Sequence, residues 1–378
     1  MPWKVDPVPE QRIALVHAVR TAGLPVAEAA RRYGVSRKTA FKWLARHDAE
    51  PDRPLADRPR RPRSSPRRTA PDAEAAVLEA RDRWGWGPRK LHALLKSQGL
   101  PAPPARTIAE ILRRHGRVAA APAPGAPAPP PQRFQRGSPN ELWQLDFKGP
   151  IEVGRRRVVP LSVLDDHSRY LLALRPCTDL THATVQAVLW DLFGDVGMPE
   201  QLLCDNAFSA RNTEVGLSAF DAWLIRLGIR PIHGRPRHPQ TQGKVERFHG
   251  TLEREVWPKA RRDRLEHFAA DLERWRPVYN AIRPHEAAGD EPPATRWRPS
   301  ERARPSEVPE LSYPPGSETR VVSQPGSIRW RRARILVGSG LIGQAVRVVE
   351  TEDEVEVYYG PHRTRVLARA QLDAHRTV

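Results

Sequence analysis

Cysteine and lysine are both scarce in this sequence of 378 residues. Two cysteines, Cys177 and Cys204, exclude a disulfide framework and any zinc site built only from cysteine. Only eight of the 62 basic residues are lysine, and the other 54 are arginine. Because a guanidinium group binds phosphate through two parallel hydrogen bonds, this bias and the net charge of +18 favour a nucleic-acid partner. A GC-rich genome and a solvated arginine-rich surface are the alternative explanation.

Long apolar runs are also missing. The N-terminal segment MPWKVDPVPE has no apolar signal core, and no run approaches the roughly 18 apolar residues that a membrane-spanning helix needs. The composition therefore predicts a cytoplasmic protein with no membrane partner. A chain of this length can form two or three domains, of which one has a sizeable hydrophobic core.

Residues 9–50 have the pattern of three short helices. Gly34 and Val35 favour a tight turn, and Ser36 is a good N-cap for the third helix. This arrangement is typical of a helix-turn-helix DNA-binding unit, although a plain three-helix bundle has the same pattern. The cations predicted to face DNA from the third helix are Arg37, Lys38 and Lys42.

Two segments separate this unit from the central region. Residues 51–70 contain seven Arg, two Asp and little apolar surface, and are predicted to be a mobile basic linker. A second helix-turn-helix-like unit is predicted at residues 71–118, where apolar residues recur at helical spacing. Its segment WGWGPRKL is either a structural turn or a loop that contacts DNA. The cations assigned to DNA binding in this unit are Arg89, Lys90 and Arg106.

Two further segments flank the central region. The proline-rich residues 119–138 predict a linker and a domain boundary. Short alternating runs with glycine turns predict a small β-barrel-like domain at residues 315–372. Four arginines of that domain either touch phosphates or face water: Arg329, Arg331, Arg332 and Arg334.

The central region, residues 139–300, carries three acids of interest. In ELWQLDFKGPI, strand alternation places Asp146 on the face opposite the apolar side chains, where either Lys148 or a metal ion would compensate its charge. The β-rich runs that follow predict a hairpin in the same sheet.

The second acid follows a predicted crossover. THATVQAVLWDLFG predicts a helix from an N-cap at Thr181 to a stop at Gly194, which leads to the short buried strand of QLLCDNAF. Asp205 ends that strand. Because ligand sites in open α/β sheets lie at the carboxyl ends of strands, Asp205 is placed for a metal ion or a phosphate, and a plain Asp-Asn turn is an equal alternative.

The third acid, Glu246, lies in residues 242–255, which predict a helix. It can complete a carboxylate trio with Asp146 and Asp205. Three carboxylates can hold two divalent ions roughly 3.5–4 Å apart, one for the attacking oxygen and one for the leaving oxygen of a phosphodiester. For Glu246 alone, a solvated charge pair is the alternative. Two flanking cations are predicted to hold the DNA, Lys244 and Arg247.

These motifs occur together in one known family. Over about residues 139–299 the chain resembles the DDE-type integrase-core transposases of insertion sequences, which share a ribonuclease H-like fold with retroviral integrases. The matching segments are Trp143–Asp146, Val163–Arg169, Cys204–Asn206, Pro239–His249 and Tyr279–His285. The resemblance implies Asp146, Asp205 and Glu246 as metal-binding catalytic acids, and cleavage of DNA ends followed by strand transfer as the reaction.

Cofactors, partners and fold class follow from the resemblance. Carboxylate ligands favour Mg²⁺ or Mn²⁺, with two ions per active site. The expected partners are double-stranded DNA, as transposon inverted repeats and as target, and further copies of the chain on paired DNA ends in a bacterial nucleoid. The expected fold is multidomain, with α-helical helix-turn-helix N-terminal units, an α/β ribonuclease H-like core and a small all-β C-terminal domain. A catalytically silent DNA-binding regulator and a nuclease without joining activity are the alternatives.

The sequence departs from the family pattern at three points. Ala207 replaces the usual Gly after Asp-Asn, Gln242 replaces a frequent Asn, and 41 residues separate Asp205 from Glu246, several more than usual. The added length falls in SARNTEVGLSAF, which affects the local loop rather than the chemistry. Unlike retroviral integrases, the sequence has no paired His/Cys zinc module, so its helix-turn-helix units are expected to recognise the DNA ends.

Overall fold

The structure is a computed structural model that describes five stretches of the chain: 7–57, 69–118, 135–204, 217–233 and 243–374. Internal contacts define two compact units, residues 1–68 and residues 69–378. The described part of the first unit consists of helices α1 (Val8–Arg20), α2 (Val26–Arg32) and α3 (Arg37–Ala49).

Helix α3 begins where the sequence predicts. The Ser36 hydroxyl accepts a hydrogen bond from the Thr39 N–H at 3.1 Å, which satisfies one free donor of the first turn. Trp43 and Leu44 are buried in a cluster with the first helix. The three cations predicted to face DNA are exposed: Arg37, Lys38 and Lys42. Leu55, from the segment predicted to be a linker, is 2% exposed and joins the same cluster, so part of that segment belongs to the folded unit.

The second unit begins with a second helical bundle of α4 (Pro71–Trp84), α5 (Pro88–Ser97) and α6 (Ala105–Arg114). Gly85 adopts a φ of 72°, in the left-handed region, which ends α4 and turns the chain toward α5. The apolar cluster of the bundle includes Trp86 and extends to Val278 and Ile282 of the central region. This bundle therefore packs on the central region.

The described strands of the central region form one mixed sheet. They are β1 (Leu142–Phe147), β2 (Ile151–Val153), β3 (Arg156–Asp165), β4 (Leu171–Cys177), β5 (Gln201–Cys204) and β6 (Arg230–His233). The order is β2-β3-β1-β5-β6, and β4 pairs with β3. The β1–β3 and β3–β4 pairs are antiparallel, whereas β1–β5 and β5–β6 are parallel. The hairpin and the crossover that the sequence predicts are both present.

Helices cover both faces of this sheet. The first face packs against α7 (His182–Val196) and α8 (Ala219–Arg226). The second face packs against α9 (Gly243–Glu255) and α10 (Leu265–Pro277), and a π-helical turn at Val278–Ile282 follows α10. Three layers result, with an apolar cluster on each side of the sheet.

Helix α7 begins as predicted but ends later. Thr181 provides the N-cap, with its side chain accepting a backbone hydrogen bond. The prediction that the helix stops at Gly194 is wrong, because α7 runs to Val196. A side chain at residue 194 would lie 3.3 Å from the guanidinium group of Arg304, so Gly194 allows that group to pack on the helix. Gly197, with a φ of 78°, ends the helix instead.

The described C-terminal region of the second unit is mostly β, with a 3-10 turn at Ser339–Leu341 and the short helix α11 (Arg369–Ala374). Its described strands are β7 (Thr319–Val321), β8 (Ser327–Trp330), β9 (Ala333–Leu336), β10 (Ala345–Glu350), β11 (Glu354–Tyr359) and β12 (His362–Ala368). A four-stranded sheet, β12-β11-β10-β7, and a β8–β9 hairpin enclose one apolar cluster. Ala222 and Ile225 of α8 join this cluster. The predicted fold class of helical N-terminal units, α/β core and small all-β domain is confirmed.

Candidate active site

Asp146 lies on the side of the sheet that α9 covers. Trp143 and Leu145 of the same strand are buried in the cluster on the α7 side, so Asp146 faces away from these apolar side chains, as predicted. The face that it occupies is the one that α9 covers. Its side chain is 17% exposed. The carboxylate is therefore reachable from solvent while its strand stays in the middle of the sheet.

Glu246 lies in the first turn of α9. Its neighbour Val245 and the nearby Phe248 are buried against the sheet, whereas Glu246 is exposed. His249, three residues further along, lies on the same face of the helix as Glu246. Burial of the apolar face of α9 thus brings the helix that carries Glu246 onto the strand that carries Asp146.

His249 connects α9 to the strands beneath it. Its Nδ1 lies 3.7 Å from Asp146 Oδ2, and its Nε2 lies 2.8 Å from Ser162 Oγ. Ser162 Oγ donates to the main-chain carbonyl of Asp146 at 3.1 Å. Burial lowers the pKa of His249 to about 4, and the charge of Lys148 acts in the same direction. The imidazole is therefore neutral at pH 7.

Lys148 is the residue that the sequence offers as a simple charge partner for Asp146. Its Nζ lies 2.6 Å from Glu253 Oε1, on α9. The hydrogen bond from Lys148 lowers the pKa of Glu253. Lys148 is thus bound to an acid of α9.

Asp205 and Gln242 lie outside the described residues. The residue before Asp205 is Cys204, the last residue of β5, and β5 is the parallel neighbour of β1. Among the side chains that the structure describes, no group of three or more His, Cys, Asp and Glu is arranged to hold a metal ion. A complete carboxylate trio therefore depends on Asp205.

Lys244 and Arg247, the two cations predicted to hold DNA beside Glu246, differ in their surroundings. Lys244 is 19% exposed and forms an ion pair with Asp166, which is 4% exposed. Burial lowers the pKa of Lys244. The same carboxylate also accepts a hydrogen bond from Gln144 Nε2 at 2.6 Å. Arg247 is exposed, so of these two cations it is the one that solvent reaches freely.

Asp165 precedes this buried acid in the LDDHSR motif and has a structural role. It accepts hydrogen bonds from the Asn140 N–H at 2.8 Å and from the N–H and hydroxyl of Ser168 at 2.7 and 2.6 Å. Burial raises the pKa of Asp165. Its carboxylate thereby fixes the turn between β3 and β4.

The segment WGWGPRKL contains a structural turn that docks the second helical bundle on the central region. Trp86 is 3% exposed, and its Nε1 donates to Glu255 Oε2 at 3.1 Å. Glu255 is the last residue of α9 and also pairs with Arg283, at 2.9 Å. Helix α9 is therefore held at its end by a residue of the bundle. Sequence patterns carry no signal for this contact, because 169 residues separate its two partners.

The cations of the bundle that were assigned to DNA binding have acidic neighbours. Arg89 lies 2.9 Å from Asp290 and 3.0 Å from Glu286. Lys90 lies 3.8 Å from Glu255, and burial lowers its pKa to about 8. Arg106 is 93% exposed and lies 3.6 Å from Glu110 in its own helix. Contact of these residues with DNA remains a prediction.

All four arginines of the C-terminal domain that the sequence singles out are exposed, and Arg331 and Arg334 also contact other side chains. Arg331 pairs with Glu350 at 2.7 Å. Arg334 donates to the Ser327 hydroxyl at 2.8 Å. Whether these arginines touch phosphates stays a prediction.

Comparison with known proteins accounts for this architecture. Two models of the integrase core domain match residues 136–239 and 227–293. The central region is an integrase core. A model of the homeodomain-like domain matches residues 6–53, which include the N-terminal helix-turn-helix unit. Together these matches confirm the resemblance to integrase-core transposases.

Relatives of this integrase core include proteins of bacterial insertion elements. The chain is 30% identical over 158 residues to an uncharacterized 39.2 kDa protein of IS476 from Xanthomonas euvesicatoria, a match that covers 41% of this chain and 44% of that protein. It is 28% identical over 225 residues to an uncharacterized 31.7 kDa protein of IS407 from Burkholderia multivorans, which covers 57% and 79% respectively. The chain thus spans less than half the length of the IS476 relative.

A solved structure, the simian T-cell lymphotropic virus intasome in complex with PP2A regulatory subunit B56 gamma, matches 78% of this chain and 96% of its own. The sequence identity of this match is 14% and its TM-score is 0.37. Every helix in the described part of the chain is too short or too polar to cross a membrane.

Proposed function

We propose that this protein is a transposase whose Asp146, Asp205 and Glu246 catalyse metal-dependent cleavage and strand transfer of DNA. The observation that carries the proposal is the packing of α9 on β1, which puts the helix of Glu246 beside Asp146 in an integrase core. Two relatives are proteins of insertion elements, which supports a role in transposition.

The donor set fits a hard divalent cation. Asp146 offers a carboxylate that is 17% exposed, and Glu246 is an exposed carboxylate on the helix above it. Oxygen ligands suit Mg²⁺ and Mn²⁺, so these two residues and Asp205 would hold the ions. Two bound ions would activate the attacking oxygen and stabilise the leaving oxygen of the phosphodiester.

Exposed cations of both units would bind DNA. Arg247, exposed beside Glu246, would bind a phosphate near the reacting bond. Arg37, Lys38 and Lys42 of α3 are exposed and would bind the DNA end, with α3 in the major groove. We further propose that two copies or more assemble on paired transposon ends, since strand transfer joins two ends to one target.

The test uses a labelled duplex that carries the inverted repeats flanking the coding region, with cleavage and joining products measured separately in Mg²⁺. Asp146→Asn, Asp205→Asn and Glu246→Gln should each abolish both products, a loss greater than the roughly 10–100-fold that removal of a supporting residue costs. DNA affinity should stay nearly unchanged, because phosphate contacts made elsewhere persist.

Glu266→Gln is the matched control, since Glu266 is an exposed acid on α10 of the same core. Near-normal turnover in any of the three variants would remove that acid from the mechanism. Binding without any cleavage by the unaltered protein would identify a regulator, and cleavage without joining would identify a nuclease.

A further inference from the structure

The two described acids of the site belong to different elements, and a short chain of hydrogen bonds joins those elements. Asp146 lies on β1 and Glu246 on α9. Between them, His249 Nε2 contacts Ser162 Oγ at 2.8 Å, and Ser162 Oγ contacts the Asp146 carbonyl oxygen at 3.1 Å. Ser162 is 0% exposed and His249 is 6% exposed. Water therefore does not compete for these contacts.

The direction of each hydrogen bond follows from the atoms available. A carbonyl oxygen can only accept, so the single hydroxyl proton of Ser162 is donated to Asp146. The Ser162 oxygen is then the acceptor for His249, which must carry a proton on Nε2. Nδ1, on the other side of the ring, faces the Asp146 carboxylate at 3.7 Å, which is too long for a hydrogen bond.

Ser162 also faces Asp146 in the register of β1 and β3. The serine is thus fixed to the strand of Asp146 both by the sheet and by its hydroxyl group. His249, one helical turn beyond Glu246, fixes α9 to that same serine. We propose that His249 and Ser162 are positioning residues that set the distance between Asp146 and Glu246.

This inference rests on the proposed function, because positioning matters only if both acids bind one metal centre. Metal sites depend strongly on such supporting residues, and their loss typically costs 10–100-fold in affinity or activity. A displacement near 1 Å can reduce a rate about 100-fold. In this proposal His249 acts through Nε2, which donates a hydrogen bond to Ser162. The alternative is that Nδ1, which faces Asp146, binds the metal ion directly.

Two substitutions of His249 separate these roles. In His249→Gln the side-chain amide reaches the position of Nε2 and can still donate to Ser162, whereas in His249→Asn the amide lies near the position of Nδ1. We expect His249→Asn to weaken Mn²⁺ binding to the full chain by about 10–100-fold, measured by electron paramagnetic resonance. The Mg²⁺ concentration required for half-maximal cleavage should rise by the same factor. His249→Gln should restore both values toward those of the unaltered protein.

Ser162→Ala breaks the same chain of contacts from the other side. It should weaken Mn²⁺ binding as much as His249→Asn does, and the double variant should be no weaker than either single one. It also keeps the test available if His249→Asn does not fold. His267→Asn, a partly exposed histidine on α10 paired with Asp263, is the matched control and should bind Mn²⁺ normally.

Three results would overturn the inference. Normal Mn²⁺ binding by Ser162→Ala is one, and full additivity in the double variant is another. The third is retention of binding by His249→Asn with loss in His249→Gln, which would identify Nδ1 as the acting atom. Asp146→Asn is measured alongside: if it too binds Mn²⁺ and cleaves normally, the proposed function itself fails, whereas its loss of binding leaves that function intact.

Discussion

Lys244 illustrates how a buried partner changes the role of a single residue. Its ion pair with Asp166 joins the start of α9 to the end of β3, and both side chains are largely shielded from water. Lys244→Ala would leave the carboxylate of Asp166 without its charge partner. We expect a loss of about 1–3 kcal/mol in the free energy of unfolding, measured by urea titration.

Arg247→Ala is the matched variant, because Arg247 is exposed on the same helix. Its stability should change by no more than about 0.5 kcal/mol, while strand transfer decreases. Equal stability of the two variants would mean that the pair of Lys244 and Asp166 contributes nothing to folding. Normal strand transfer by Arg247→Ala would show that this arginine is dispensable.

His285 makes stability depend on pH. Burial lowers its pKa to about 3, and the charges of Arg283 and Lys90 add to this effect. The unfolded chain, with a histidine pKa of 6.5, takes up a proton that the folded chain does not. The stability from His285 is therefore complete above pH 6.5 and decreases as the pH falls toward 3.

At pH 5 the protonation of His285 in the unfolded chain lowers the free energy of unfolding by roughly 2 kcal/mol. His285→Asn cannot take up this proton, so its free energy of unfolding should fall less between pH 7 and pH 5, by about that amount. Chemical unfolding of both proteins at the two pH values measures the difference. Parallel pH profiles for the two proteins would contradict this account.

At the scale of elements, α9 is fixed at both of its ends. Lys244 holds its start, and Glu255 holds its end through Arg283 and Trp86. The π-helical turn after α10 supplies a further connection. The side-chain amide of Asn280, in that turn, donates to the Leu171 carbonyl at 2.9 Å and accepts from the Leu171 N–H at 2.8 Å. The YNAIRPH motif thus supports β4 and α9 together.

Trp86→Phe tests the contact between the second helical bundle and α9. Phenylalanine keeps most of the buried ring but cannot donate a hydrogen bond to Glu255. We expect a loss of about 1–3 kcal/mol in the free energy of unfolding, since a hydrogen bond to a charged, largely buried acceptor is removed. Trp84→Phe is the control, because Trp84 stacks on Trp86 but is only partly buried. Equal losses in both variants would show that ring volume, not the hydrogen bond, is responsible.

At the scale of the whole molecule, the two N-terminal helical segments belong to different compact units. Residues 1–68 form a unit with its own buried cluster. Residues 71–114 instead share an apolar cluster with Val278 and Ile282 of the integrase core. Of the two helical segments that look alike in sequence, the first therefore forms a compact unit of its own, and the second is part of the compact unit of the core.

Deletion of residues 1–68 should leave the urea midpoint of the remaining chain unchanged. Deletion of residues 1–118 should lower stability by at least about 3 kcal/mol, the cost of removing a buried tryptophan such as Trp86 from a core. Both truncations are measured by the same unfolding titration. If the shorter deletion also destabilises the core, the first unit is not independent; if the longer one has no effect, the bundle does not support the core.

The sequence by itself determined the elements and the candidate acids. Alternation along β1 predicts the side of the sheet that Asp146 faces, and helical spacing predicts α9 around Glu246. Ser36 and Thr181 predict where two helices begin. These features follow from residues within a few positions of each other, because hydrogen bonds in helices and the pleat of a strand are local.

Only the tertiary structure decided which polar residues have partners. Lys244 contacts Asp166 across 78 residues, His249 contacts Ser162 across 87, and Trp86 contacts Glu255 across 169. From the sequence alone, Lys244 and Lys90 are predicted to be solvated cations that bind DNA. Their surroundings depend on how helices pack on the sheet, and that packing is set by apolar burial summed over the whole core rather than by any local pattern.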